Sequence, residues 1–174
     1  KYRLAPPSTD VLRDALADSR RAVRLVRSRA ADWHIAPDRI AMIGFSAGSN
    51  LILNLATAPA LIPTDAADPL AAVSARPDFI CLAATWPHGQ KIADLPIGRA
   101  TPPAFILHAR DDPTSPFAFG EGLAEAWRRA GTPVEFCPYD QGGHMAFNFP
   151  NQPATDWPAR FVAWLSKIGP APAR

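Results

Sequence analysis

Apolar runs and helical segments alternate along this chain, and that alternation constrains its fold more than any other feature. Residues 10–33 carry apolar side chains every three or four positions, which predicts an amphipathic helix. Residues 39–45 are a short apolar run that predicts a strand covered on both faces. The alternation continues with strands predicted at residues 78–84, Ala104–Ala109 and Val134–Tyr139, and helices at Ala47–Thr57, residues 122–130 and residues 155–168.

Strands that alternate with helices specify a mainly parallel sheet with helices on both faces, the α/β class. The chain has 174 residues, of which 48% are hydrophobic and 20% charged, the size and composition of one globular domain. No internal repeat is evident in the sequence. We therefore expect a single α/β domain over residues 1–174.

The composition excludes several classes of function. A net charge of +2 is too small for a nucleic-acid-binding face, and the arginines between residues 20 and 29 have the spacing of a solvated helix face. No run approaches the roughly 18 apolar residues that span a bilayer. Cys81 and Cys137 lie in apolar runs, where cysteine acts as a small hydrophobic residue, and we expect neither a disulfide nor a metal site. The chain begins without methionine or a signal-peptide pattern, so we expect it to start partway into a gene product, and its compartment cannot be read.

The motif Gly44-Phe45-Ser46-Ala47-Gly48 lies between a predicted strand and a predicted helix, the context in which a G-x-S-x-G pattern is informative. We expect glycine to be required at Gly44 and Gly48, because side chains there would collide with the backbone of a sharp turn. Such a turn lifts the Ser46 hydroxyl clear of the sheet. The helix that follows places the Ala47 amide where it can stabilise a developing oxyanion. The motif predicts a nucleophilic serine.

A serine hydroxyl needs a general base, and the base needs an acid to orient it. The chain has four histidines. Three of them suit different roles: His34 lies at a helix end, His88 lies in a loop where it either lines a pocket or has no task, and His108 ends a strand, where it suits a structural hydrogen bond. His144 remains, in a loop that two glycines allow to bend back over the sheet.

The acid is expected between the serine and the histidine, at the carboxyl end of a strand. Asp111 and Asp112 both satisfy this condition, and the residues alone leave the choice open. Whichever of the two is not the acid would cap the loop or pair with Arg110. Weaker candidates lie in less suitable loops: Asp65, Asp68, Asp78 and Asp94.

Four segments distributed along the chain carry a resemblance to a known family: residues 1–6 (Lys-Tyr-Arg-Leu-Ala-Pro), 38–48, 108–116 and 142–144. They resemble the α/β-hydrolase esterases of the hormone-sensitive-lipase kind, and more closely the bacterial acetyl-esterase and acetylxylan-esterase-like branch. Members share Gly-Phe-Ser-Ala-Gly, a His-Ala-x-x-Asp-x-x-x-Pro acid loop and a Gly-Gly-His base loop. This register implies that Asp112 is the acid, with Pro116 four residues on.

The resemblance implies a serine carboxylesterase that hydrolyses short-chain, acetyl-type esters of small molecules or carbohydrates through an acyl-enzyme. Its catalytic residues would be Ser46, Asp112 and His144, with no metal or organic cofactor. Thioesterases and peptidases of this fold use the same triad and stay open. Aromatic or imidazole side chains at Trp86, His88 and Phe147 are candidates for the wall of a substrate pocket, although aromatic residues in this fold also serve as core.

The chain departs from the family in one respect. In the family a glycine-rich oxyanion loop and several strands precede the Tyr-Arg-Leu-Ala-Pro segment, and we expect this chain to be truncated before that segment. The strand that ends at Phe45 would then have an open apolar edge, for a second copy or a missing amino-terminal segment to cover. The alternative function is therefore a non-catalytic hydrolase scaffold, or one part of a two-piece assembly.

Overall fold

The computed structural model describes residues 11–57, 67–147 and 152–169. Segment 1–6 of the family resemblance lies outside these ranges. The elements, in chain order, are α1 (Val11–Ser28), β1 (Ala41–Phe45), α2 (Ala47–Thr57), β2 (Phe79–Ala83), a short 3-10 helix (Ile92–Asp94), β3 (Ala104–Ala109), α3 (Phe117–Arg129), β4 (Val134–Tyr139) and α4 (Trp157–Lys167).

The predicted helices and strands form, and the differences lie at their ends. The largest differences are of five positions: α1 ends at Ser28 instead of 33, and α3 begins at Phe117, after an extended Pro116, instead of 122. Two glycines in the first turns of α3 weaken the sequence signal for helix. The tertiary structure explains one of them, because a Cβ at Gly120 would lie 2.5 Å from Nδ1 of His108. The packing of α3 against β3 therefore requires glycine at position 120, and the same glycine weakened the sequence signal for the start of the helix.

The four strands form one parallel sheet in the order β1-β2-β3-β4. This confirms the predicted α/β class. Strands β2 and β3 are buried along their whole length, as expected of strands covered on both faces. Strand β1 lies at the edge of the described sheet, and Ile43 is 55% exposed. The expectation that residues 39–45 form a strand covered on both faces is therefore wrong at Ile43, because the rings of α4 contact β2 and β3 instead.

Alternate residues of the strands face opposite layers of helices. One face packs against α2 and α3 through Ile80, Leu82, Ile106, Leu53, Leu123 and Trp127. The other face packs against α4 through Phe79, Phe105, Phe161 and Trp164. Helix α1 packs on α2 through Leu16, Val23 and Leu55. These layers hold the carboxyl ends of all four strands at one edge of the sheet.

The expectation of a fully solvated arginine face on α1 is wrong for two of its members. Arg24 is 7% exposed, and its Nε donates to the carbonyl oxygen of Val73 at 3.0 Å. Arg27 donates from Nη2 to Oδ2 of Asp78 at 2.7 Å, and that oxygen also accepts the Ile40 amide at 2.9 Å. These arginines fasten α1 to the segments that enter β1 and β2.

Cys81 and Cys137 are both free and buried in strands. Burial raises the pKa of the Cys81 thiol to about 12, so it stays protonated and acts as a core residue. Within the described ranges, no helix combines the length and the apolar character needed to cross a membrane.

Candidate active site

The turn between β1 and α2 places Ser46 in a backbone conformation that is rare for a residue with a side chain. Its φ is +53°, and its amide donates to the carbonyl oxygen of Ala83 at 2.9 Å. The Ser46 carbonyl oxygen accepts the Asn50 amide at 3.0 Å, which begins the helix. The strained residue is held on one side by β2 and on the other by α2, as strain at a functional position requires.

The two glycines of the motif differ in what they do. A Cβ at Gly44 would lie 2.5 Å from the carbonyl oxygen of Gly48, so no side chain fits there. A Cβ at Gly48 would have nothing within 4 Å. The expectation that both positions need glycine is therefore wrong for Gly48. A side chain at Gly44 would collide with the Gly48 backbone, whereas a side chain at Gly48 would point into open space.

The imidazole of His144 links Ser46 to Asp112. Its Nε2 lies 2.9 Å from Oγ of Ser46, and its Nδ1 lies 2.8 Å from Oδ2 of Asp112. A carboxylate can only accept, so Nδ1 carries the proton and Nε2 is left to accept the serine hydroxyl. The arrangement gives the hydroxyl a neighbour that can take its proton. The ring of Phe45 lies 4.9 Å from the imidazole and packs beside it.

Asp112 is buried, and both oxygens of its carboxylate accept hydrogen bonds. Oδ1 accepts the backbone amides of Thr114 at 2.8 Å and Ser115 at 2.9 Å, which leaves Oδ2 to accept from His144. The loop after β3 thus wraps around the carboxylate and fixes its orientation.

Asp111 is exposed, and its carboxylate caps the loop that carries His144. Oδ1 accepts the Gly143 amide at 2.8 Å and Oδ2 accepts the Gly142 amide at 3.1 Å. The hydrogen bonds from Gly143 and Gly142 lower the pKa of this carboxyl group. Arg110, the other partner considered for it, contacts Asp140 at 3.3 Å. Sequence reasoning placed Asp111 as a possible cap but could not identify a loop more than thirty positions away.

His108 is completely buried beside the acid loop. Its Nε2 donates to the carbonyl oxygen of Ser115 at 2.9 Å, and its Nδ1 has no hydrogen-bond partner among the described residues. Burial lowers the pKa of this imidazole, so the neutral form with its proton on Nε2 is favoured. The structural hydrogen bond predicted for His108 therefore forms with Ser115, the residue whose amide also donates to Asp112.

A cavity of about 310 Å³ opens beside the first turn of α2. Its lining residues are Leu12, Ala15, Ala47, Gly48, Asn50, Leu51, Trp86 and His88. Trp86 and His88 thus lie on a cavity wall, with their rings 4.6 Å apart. Phe147 does not: it is 7% exposed and belongs to the core cluster, where its ring lies 5.7 Å from that of Tyr139. These contacts agree with the alternative given for Phe147, a core position.

The loop that follows β2 is connected to both sides of this site. The Thr85 hydroxyl lies 2.7 Å from the Ser49 hydroxyl, and its carbonyl oxygen accepts a hydrogen bond from the Ser115 hydroxyl. The Trp86 amide approaches the Ser46 carbonyl oxygen at 3.5 Å. Sequence reasoning had no role for Ser49 or Asn50, because their partners lie in a loop that only the sheet order brings beside α2.

Comparison with known proteins agrees with the fold. A family model described as the alpha/beta hydrolase fold matches residues 1–62. An acetyl ester-xyloside bifunctional hydrolase from Caldicellulosiruptor lactoaceticus superposes with a TM-score of 0.78 at 26% identity, covering 97% of this chain and 70% of that chain. A thermophilic esterase from Thermogutta terrifontis gives a TM-score of 0.78 at 26% identity, covering 99% and 70%.

A third solved structure, a carboxylesterase from Lactobacillus plantarum, is 19% identical with a TM-score of 0.76, and it supports the fold alone. It is covered to 74%, and this chain to 100%. No curated protein sequence matches this chain. The resemblance to α/β-hydrolase esterases, with this chain spanning part of their length, is confirmed by these matches.

Proposed function

This chain has the α/β-hydrolase fold and resembles the esterases of that fold, and from this premise we propose that it is a serine carboxylesterase acting on short-chain, acetyl-type esters. The family match and the esterase structures support ester hydrolysis as the general activity. The observation that carries the serine mechanism is the chain of hydrogen bonds from Ser46 through His144 to Asp112, with distances of 2.9 and 2.8 Å.

In the proposed mechanism His144 acts first as a base. Its Nε2 takes the proton of the Ser46 hydroxyl while Oγ attacks the ester carbonyl carbon, and the negative charge moves to the carbonyl oxygen. The Ala47 amide lies in the first turn of α2, where backbone N–H groups lack intrahelical partners, and we expect it to bind that oxyanion. His144 then gives its proton to the departing alcohol, and the acyl group remains on Ser46.

Water completes the reaction by the same groups. His144 Nε2 removes a proton from water, the oxygen attacks the acyl carbon, and the bond to Ser46 Oγ breaks with return of the proton. Asp112 keeps the imidazole in the tautomer that leaves Nε2 unprotonated, and it stabilises the imidazolium that forms in each step. The amides of Thr114 and Ser115 hold Asp112 for this task.

The names of the similar solved structures support the proposal that the substrate is a small ester. One is an acetyl ester-xyloside hydrolase, and the Thermogutta esterase was solved with butyrate bound, at 25% identity to this chain. Esters of small alcohols or of carbohydrates are therefore the substrates to try first. Thioesters and peptides are the controls, because the same three groups could attack them.

A burst experiment with p-nitrophenyl acetate tests the proposal. We expect a rapid release of p-nitrophenol stoichiometric with the chain, followed by slower turnover, because the acyl-enzyme accumulates. Ser46→Ala should abolish the burst, and Ser28→Ala, which changes an exposed serine on α1, should keep it. A wild-type chain that releases p-nitrophenol neither in a burst nor in steady turnover would contradict the proposal and favour a non-catalytic scaffold or one part of a two-piece assembly.

A further inference from the structure

Three side-chain amides form a closed ring beside the turn between β1 and α2, which carries Ser46 and which we call the nucleophile turn. Asn50 Nδ2 donates to Gln90 Oε1 at 2.7 Å, and Gln90 Nε2 donates to Asn54 Oδ1 at 2.8 Å. Asn54 Nδ2 closes the ring on Asn50 Oδ1 at 3.0 Å and also reaches the Asn50 carbonyl oxygen at 2.8 Å. Asn54 Nδ2 also reaches Gln90 Oε1 at 3.5 Å, so every amide both donates and accepts within the ring, which fixes the orientation of all three.

The amide ring joins two elements that are far apart in sequence. Asn50 and Asn54 lie one turn apart on α2, and the Asn50 side chain is 4% exposed. Gln90 ends the segment that follows β2, which we call the wall segment and define as residues 85–90. Its other end is held by the 2.7 Å contact between the hydroxyls of Thr85 and Ser49, again on α2. Both ends of the wall segment are therefore tied to the helix that begins at the nucleophile.

The backbone around the wall segment needs such support. Ala84 and His88 have φ values of +46° and +48°, in the left-handed region that residues with side chains seldom adopt. Conformations of this kind persist where the surroundings over-determine them, and they concentrate at ligand sites. Between the two ties lie Trp86 and His88, whose side chains line the cavity beside Ala47.

We propose that the amide ring of Asn50, Asn54 and Gln90 is a positioning device for acyl-group selection. It holds the wall segment so that Trp86 and His88 form a fixed wall for the acyl chain of the substrate. This inference rests on the proposed esterase function, because the acyl group must be attached at Ser46 for the cavity beside Ala47 to receive it. A methyl group extends little from the carbonyl carbon, and we expect a butyryl chain to extend far enough to contact the wall, so the ring should affect longer acyl groups selectively.

The kinetic test compares p-nitrophenyl acetate with p-nitrophenyl butyrate. Gln90→Ala removes every hydrogen bond between Gln90 and the two asparagines. We expect kcat/KM for the butyrate to fall about tenfold through a higher KM, since buried amide groups lose their partners. For the acetate we expect kcat/KM within about twofold of wild type. Lys91→Ala is the control, because Lys91 is exposed, adjacent in sequence and outside the ring.

An isosteric change isolates the ring from the bulk of the side chain. Gln90→Glu keeps an acceptor for Asn50 but cannot donate to Asn54, so it breaks one link and removes no volume. We expect Gln90→Glu to lower the ratio of kcat/KM for the butyrate to kcat/KM for the acetate, as Gln90→Ala does, but by a smaller factor. Equal ratios in wild type, Gln90→Ala and Gln90→Glu would overturn the inference.

Amide hydrogen exchange tests the inference without any need for activity. In both Gln90 variants we expect faster exchange in peptides covering residues 85–90, and unchanged exchange in β3 and β4. Unchanged exchange in the wall segment would overturn the positioning role even in an active enzyme. The absence of any p-nitrophenol release by wild type would contradict the esterase function instead, so the two failures are distinguishable.

Discussion

The carboxylate of Asp111 lies 2.8 Å from the amide nitrogen of Gly143, the residue immediately before His144. A second hydrogen bond, from the Gly142 amide at 3.1 Å, makes the contact bidentate. The two glycines have φ values of +61° and +123°, so the loop is bent in a way that few other residues allow. The two neighbouring aspartates therefore have different partners. Asp111 binds the loop that carries the imidazole, and Asp112 binds the imidazole itself.

This division predicts unequal effects of two isosteric changes. Asp112→Asn should reduce kcat by about 10⁴-fold, because an amide facing Nδ1 favours the wrong imidazole tautomer. Asp111→Asn leaves one oxygen to accept a loop amide, and we expect a loss of about tenfold at most, in line with one weakened hydrogen bond. Steady-state hydrolysis of p-nitrophenyl acetate measures both, and a larger loss in Asp111→Asn would reverse the assignment of the acid.

The buried imidazole of His108 predicts that stability falls in mild acid. Its pKa is lowered in the folded chain from the ordinary 6.5, so below that pH the unfolded chain binds a proton that the folded chain does not. The free energy of unfolding should therefore decrease as pH falls below 6.5, with a slope of up to about 1.4 kcal/mol per pH unit for one proton.

Urea unfolding between pH 7.5 and pH 5 measures that slope, with roughly unit steps in pH. His108→Gln keeps a donor for the Ser115 carbonyl oxygen and removes the titrating group, so its slope over the same range should be shallower than that of wild type. Ser28→Ala, at an exposed position of α1 without a titrating group, is the control and should retain the wild-type slope. Identical slopes in His108→Gln and wild type would refute the assignment.

The two glycines of the nucleophile turn should respond differently to alanine. Gly44→Ala introduces a Cβ 2.5 Å from the Gly48 carbonyl oxygen, and we expect a loss of about 3 kcal/mol, at the upper end of overpacking effects. Gly48→Ala meets no atom within 4 Å and lies inside α2, where alanine is favoured by up to about 1 kcal/mol. Thermal unfolding of both variants checks the contrast, which equal destabilisation would contradict.

The buried ion pair between Arg27 and Asp78 predicts a large cost for removing one partner. Their side chains are 10% and 1% exposed, and Arg27→Ala would leave a buried carboxylate without its guanidinium, at a cost of about 3 kcal/mol. Arg29→Ala breaks an exposed pair with Asp32, where the side chains are 58% and 61% exposed, and should change stability by less than about 1 kcal/mol. Urea denaturation measures both losses, and similar values for the two variants would be incompatible with this difference in burial.

Local patterns in the sequence were enough to predict the helices and strands and the turn that carries Ser46. The short, mainly apolar runs at residues 104–109 and 134–139 form strands with the predicted ends, because strand preference depends on neighbouring residues. The position of Ser46 followed from a turn whose parts are adjacent in the chain. Elimination among four histidines selected His144, which the structure places 2.9 Å from that serine.

Only the tertiary structure decided which residues meet across the site. The geometric division between Asp111 and Asp112, the burial of Arg24 and the core position of Phe147 depend on contacts between segments far apart in sequence. The same is true of the amide ring, in which α2 meets Gln90 across 36 positions. Periodicity carries information about the next turn or the next pleat, whereas these contacts exist because a parallel sheet brings the ends of separate strands together.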